Sequence, residues 1–502
     1  MSNRIPVLIG VGQHVVREMD PQGPSPLSLA VSACEAALAD TDAKGIAKHI
    51  DTLAFVRLNS DSINGRSGPF GVYNNLPRLV AKRIGADPAH AILSVVGGQS
   101  PQQLVNEMCN RIARGETDTA LITGSEAIGT MKTAMRAGVE LSWNDSVDGQ
   151  LEDRGMGPSL VEPEEIAGGM GFPPQVYGAF EHAWRGSLGM TVEDHADHMA
   201  RLFAPFSRVA ATHPYAQFPI ERDEDFLRTA GPKNYPIADP YLKWHVAQDA
   251  VNQGAALILT CEEQARAMGV PEEKWVYLHG GADVQDKLVS KRPQLHASAA
   301  MRAVTGATFD QSQISVDEID HFELYSCFPC AVQFACDAMG IDSLKRTLTQ
   351  TGGLPFFGGA GNNYSMHGIA SMVDTLRADP GSRGLVLANG GFLSKESAGV
   401  YSTQRPEQFQ CVDSRAAQAS IDAVPDVSIS QAPKRGLVEA YSVLHQKGAP
   451  LFAYAFMRVG DERFLARTNT GDVDAANKLV ASDPLGMEFA VDASERRNTL
   501  LV

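Results

Sequence analysis

The stretch "ILSVVGGQSPQQLVNEMCNRIARGE", Ile92 to Glu116, reads as a buried strand, a tight turn and a helix. Many α/β enzymes carry a nucleophile on such a turn. Here the turn is Gly97, Gly98, Gln99, Ser100 and Pro101, with no thiol and only one hydroxyl. Ser100 precedes a proline at a helix start, which predicts helix capping. Cys109 falls on the helix's expected core face. Cys327, Cys330 and Cys336 form the one thiol cluster. The first two have Cys-x-x-Cys spacing, but no second pair with zinc spacing appears, so no metal is expected. His195 and His198 share one helical face and lack a third ligand, so they read as polar helix surface. Lys287, Lys291 and Arg292 form a short basic run that reads as a solvated helix face.

These groups need a large framework. The 502 residues are enough for two to three domains. Hydrophobic content of 44% and charged content of 20% fit a soluble globular chain. A net charge of -16 argues against nucleic acid or an anionic membrane as partner. The N-terminal run is short and broken by glycines, so neither a secretory signal nor a membrane span is expected. Seven scattered cysteines suit a reduced, cytoplasmic setting.

Strand-like and helix-like runs alternate from "VLIGVGQ" to "TDTALITGSEA", which predicts a mostly parallel sheet covered by helices. From about 129 to 240 the alternation dissolves into an inserted loop domain. A second alternation begins near Val276 and has comparable order, suggesting an internal duplication. The expected division is 1–270 for the first half with its insertion, 271–402 for the second half, and 403–502 for a small, mostly-β, OB-like domain.

Landmarks in order along about 400 residues resemble the thiolase superfamily, especially thiolases of the sterol-carrier-protein type and thiolase-like proteins of type 1. They are "HPYAQF", "QDAVNQGAALIL", "FELYSCFPCAV", "TGGLPFFGGAG" and "LANGGF". The resemblance implies two duplicated βαβαβαββ halves and a coenzyme A thioester substrate, with no covalently bound cofactor. It also implies a homodimer through the core sheet, with a monomer left open by the added domain. Thiolases form or cleave the carbon–carbon bond of 3-ketoacyl-CoA through an acylated cysteine, oxyanion holes and a proton-shuttling Cys and His.

The chain departs from that pattern at each motif. Gly98 stands at the nucleophile position. Tyr325 replaces the oxyanion-binding His, while Cys327 keeps the family's Cys. Gly358-Gly359-Ala360 replaces Gly-His-Pro, leaving His367, Tyr364, Asn362 and Asn363 as nearby polar groups. Asn389 replaces the acid/base Cys before Gly391. Candidate catalytic residues are therefore Tyr325, Cys327, His367, Tyr364 and Asn389. Gly98, Gly359 and Gly391 are the candidate backbone donors. The first expectation is an acyl-CoA acyltransferase with altered chemistry. The alternatives are a retro-aldol lyase using tyrosine acid/base groups, and a non-catalytic CoA-thioester or lipid binder.

Overall fold

The computed structural model describes residues 4–62, 68–493 and 497–502. In the first half, strands Pro6–Val15, Thr52–Phe55, His90–Leu93, Thr119–Ala127 and Asn252–Cys261 are joined by helices Pro26–Asp40, Leu76–Ile84 and Ser100–Arg114. Sequence punctuation sets these helices: Ser25 accepts from Ser28 N at one start, Asn75 from Arg78 N at another, and prolines follow both caps. The last strand in sequence runs antiparallel between the first and fourth, and the second and third pair in parallel.

The second half repeats this order with strands Tyr277–Gln285, His321–Leu324, Arg383–Gly390 and Lys395–Ser402. Again the final strand runs antiparallel between the first strand and its other neighbour. The expected third strand is reduced to one bond, Leu324 N to Leu348 O at 3.0 Å. The reason is local. The Gln350 and Thr351 N–H groups turn away from the sheet to the buried Glu323 carboxylate, at 2.6 and 3.1 Å.

Helices Ser100–Arg114 and Tyr364–Ala378 lie between the two sheets. Leu104, Val105 and Met108 of one meet Met366, Ile369 and Met372 of the other in a shared core with Leu257 and Val386. Cys109 is buried in that core. Burial at this density fixes both helix N-termini, which face the site.

The inserted segment contains helices Pro173–Ser187 and Val192–Thr212. Its two-residue strand Glu152–Asp153 pairs in parallel with Ile92 and Leu93, covering that sheet edge. Beyond Ser402 the chain first forms a short helix, Arg415–Asp422. Then Arg435–Gln446, Ala449–Val459, Glu462–Arg467, Glu488–Asp492 and Thr499–Leu501 close into a five-stranded barrel. Helix Val473–Ser482 lies between its third and fourth strands. Strand Pro236–Ala238 of the insertion joins it at Leu444. No helix among the described residues is long and apolar enough to cross a membrane.

Candidate active site

The turn before Ser100–Arg114 is built from glycine for two reasons. Gly97 adopts φ +139°, which disfavours any side chain. Gly98 is bare because its surroundings are full. A methyl placed there would collide with the Tyr325 hydroxyl and lie 2.5 Å from the Asn389 carbonyl oxygen. The phenol thus fills the space a nucleophile at residue 98 would need. Gly98 O accepts from Ser365 Oγ at 2.6 Å, which ties this turn to the second central helix. Asn362 ties it further, accepting from Gly97 N at 3.1 Å and donating to Arg57 O at 2.9 Å. Ser100 does not cap the helix. Its hydroxyl donates to Val95 O at 3.0 Å, and Gln99 occupies the cap position.

Tyr325 leaves the end of strand His321–Leu324 with its ring edge-on to Tyr364, at 5.4 Å between centroids. Burial raises its pKa, so it stays a protonated donor. Tyr364 donates to Glu323 Oε1 at 2.8 Å and lies 2.6 Å from Thr351 Oγ1. Glu323 also takes Thr349 Oγ1 at 3.0 Å and Thr351 Oγ1 at 3.1 Å, besides its two backbone donors. Cys327 lies beside Asn389, whose Nδ2 reaches its sulfur at 3.7 Å and Tyr177 Oη at 2.9 Å. Burial pushes the Cys327 thiol up to about 12, which leaves it a poor nucleophile at neutral pH.

Solved structures share this fold. The chain is 40% identical to a monomeric SCP2-thiolase-like protein type 1 from Mycobacterium smegmatis, with full coverage of both chains and a TM-score of 0.85. It belongs to the SCP2-thiolase-like proteins. No family profile matches the chain, and no curated protein does. An Ltp2–ChsH2(DUF35) aldolase is 18% identical over 79% of this chain and 97% of its own, with a TM-score of 0.58. An acetyl-CoA acetyltransferase from Syntrophomonas wolfei is 16% identical over 80% and 100%, at 0.52. These last two share the fold.

In this SCP2-thiolase-like chain, Tyr325, Tyr364, Cys327, Asn389 and Gly98 come together. His367 is fully buried and drawn away to the first strand, with Nδ1 2.9 Å from Gln13 Oε1. Burial lowers its pKa to about 3. The Gly359 N–H is consumed by Gln248 O at 2.8 Å, so it is no free oxyanion donor. Gly391 offers its carbonyl to Tyr177 Oη at 2.9 Å. Asn363 is buried against Gly124.

His195 is not surface: it is buried, 2.8 Å from Glu181 Oε1. Its helix packs inward because Glu181 gathers Tyr241 Oη and Cys330 N as well, each at 2.7 Å. His198 is half-buried against Trp184. The basic run is not a solvated helix face either. Lys287, Lys291 and Arg292 pair with Asp426, Glu162 and Asp286, and Arg292 is buried.

Sequence reasoning missed Tyr177 and Glu396. Tyr177 comes from the insertion and stacks on Phe328 at 4.3 Å. Its local sequence carries no sign of this. Glu396 is the cross-strand neighbour of Asn389, fully buried, with neither carboxyl oxygen hydrogen-bonded among the described residues. A lone acid in the buried run "KESAGVYS" was the available signal. Burial holds its pKa well above the carboxylate range.

The steric reading of residue 98 has a direct check. Gly98→Cys is expected to lose about 1–3 kcal/mol in denaturant unfolding, as overpacked cores do. Gly98→Cys combined with Tyr325→Ala should recover part of that loss. Additive losses in the double variant would show that the phenol does not fill the space.

Proposed function

We propose that this chain cleaves a carbon–carbon bond in a 3-hydroxyacyl-CoA by a retro-aldol step, with no covalent acyl intermediate. The observation that carries this reading is the Tyr325 hydroxyl in the space a residue-98 side chain would need. Acyl transfer by the thiolase route needs an acylated thiol. The remaining thiol at a motif position, Cys327, is buried and protonated. A retro-aldol step needs only acid and base groups.

The step balances without a co-reactant. The 3-hydroxyl loses its proton, the C2–C3 bond breaks, and C3 becomes a carbonyl. The electron pair leaves as a thioester enolate, and C2 then takes the proton held on Glu323, returned through Tyr364. Tyr364 takes the hydroxyl proton as its own passes to Glu323. Tyr325 donates to the thioester oxygen as it becomes an enolate oxygen. Asn389 is a positioning residue that orients Cys327 and Tyr177.

Arg222 and Lys243 suit the CoA phosphates. Neither has a carboxylate ion-pair partner among the described residues, unlike the basic run. Both approach the Trp244 ring, at 3.3 and 5.0 Å. Burial lowers Arg222 to about 10. Burial and the neighbouring Arg222 charge lower Lys243. Ala247, four residues past Lys243, donates to Cys327 O at 3.0 Å. Four residues span at most about 14 Å, within a pantetheine arm's reach.

The test uses acetoacetyl-CoA and 3-hydroxybutyryl-CoA. Intact-protein mass spectrometry is expected to show no acetyl adduct with either. The hydroxy ester should yield acetyl-CoA and acetaldehyde without free CoA. Arg222→Ala/Lys243→Ala should weaken ester binding by about tenfold and flatten its salt dependence. A stable acetyl adduct mapped to Cys327, or turnover that requires free CoA, would restore the acyl-transfer reading.

A further inference from the structure

A cavity of about 660 Å³ opens at the carboxyl ends of strands Thr52–Phe55, His90–Leu93 and Thr119–Ala127. No candidate catalytic residue lines it. Leu93, Ile128, Met131, Tyr73 and Trp143 give it an apolar wall, while Asp61, Asn74 and Asp153 form a polar side. That size and lining are those of a small-molecule site, and ligands of α/β sheets bind outside the carboxyl ends of strands.

Glu126 gives this cavity its chemistry. It lies near the end of Thr119–Ala127 and is only 3% exposed. One oxygen accepts from Asn59 N at 2.6 Å. Burial pushes its pKa up to about 8, and the nearby Asp61 and Asp249 act in the same direction. At neutral pH the acid therefore keeps a proton to donate. Arg57 also lines the cavity but is engaged elsewhere, with Asp153 and with Ser94 O at 3.0 Å. The backbone accommodates the acid too. A side chain at Gly361, at φ +51°, would collide with Glu126 Oε1. Burying an acid without a cation costs stability, so keeping one in a cavity wall points to use.

We propose that this cavity binds an apolar molecule carrying one hydrogen-bond-accepting oxygen, a keto or hydroxyl group, and that Glu126 donates to that oxygen. The acyl end of a CoA thioester and a free lipid-like molecule share this chemistry. Asn362 forms the partition: its amide reaches Arg57 O on the cavity side and Gly97 N on the catalytic side. The cavity reading stands on its own lining and does not depend on the retro-aldol reading.

Calorimetric titration of the full chain with 2-decalone and with decalin tests it. The ketone is expected to bind about fivefold tighter, the worth of one neutral hydrogen bond. Glu126→Gln keeps a donor and should keep the preference. Glu126→Leu should abolish it. Ile128→Trp should fill the cavity and lose both probes. Displacement of decanoyl-CoA, but not CoA, by 2-decalone identifies the acyl end as the natural occupant. Binding without displacement identifies a free molecule. No saturable binding to the wild-type chain, or a ketone preference that survives Glu126→Leu, overturns the proposal. Loss of CoA-ester binding alone would sink the CoA reading and leave the cavity standing.

Discussion

Tyr325→Phe is expected to lower retro-aldol turnover by about 10²–10⁴-fold, the range for a general acid or base. The substitution removes one oxygen and keeps the ring packed against Tyr364. Affinity for acetoacetyl-CoA, which has no 3-hydroxyl to deprotonate, should stay unchanged, because a loss confined to kcat marks an interaction made in the transition state. Steady-state release of acetyl-CoA, with a separate ester titration, reads both quantities. Equal turnover in the variant would remove Tyr325 from the mechanism. A matched loss of binding would make it a packing residue instead.

Glu323→Ala should be the most damaging single change to stability near the site. Five donors converge on this one carboxyl: two backbone N–H groups, two threonine hydroxyls and the Tyr364 phenol. Removing it leaves several buried donors without an acceptor, at a cost of about 1–3 kcal/mol for each group left unsatisfied. Glu323→Gln keeps one acceptor oxygen but turns an NH₂ toward existing donors, and should cost about 1–3 kcal/mol. Gly368 is part of the same device, since a methyl there would lie 2.8 Å from Glu323 Cγ. Urea unfolding of both variants checks the order. A Glu323→Ala midpoint close to wild type would mean that the donors find other partners. That would also deprive Tyr364 of its proton acceptor in the proposed mechanism.

Much of the framework is legible in the amino-acid sequence. Strand and helix alternation, the two similar halves and the closing β segment are written in local patterns of apolar residues, caps and glycines. The absence of a thiol at residue 98 is legible too, because a missing side chain is a fact of sequence. What fills that space is not. Tyr325 lies more than two hundred residues along the chain from Gly98, and only sheet packing brings its hydroxyl to that turn. The same limit hides Tyr177, which the insertion folds back onto Asn389, and the third strand of the second half, which Glu323 unmakes by taking its backbone donors.

Histidines mislead for a related reason. His367 and His195 sit in amphipathic stretches, where spacing tells which residues share a face but not what the face meets. Gln13 claims one and Glu181 the other, and both partners are long-range. By itself, the sequence determined the fold class and the absence of a thiol at residue 98, because both follow from residue types in local order. The tertiary structure alone decided which polar groups converge, which are spent on one another and which cavity holds a buried acid. Those depend on burial and on contacts between segments far apart in the chain, where desolvation rather than local pattern sets the chemistry.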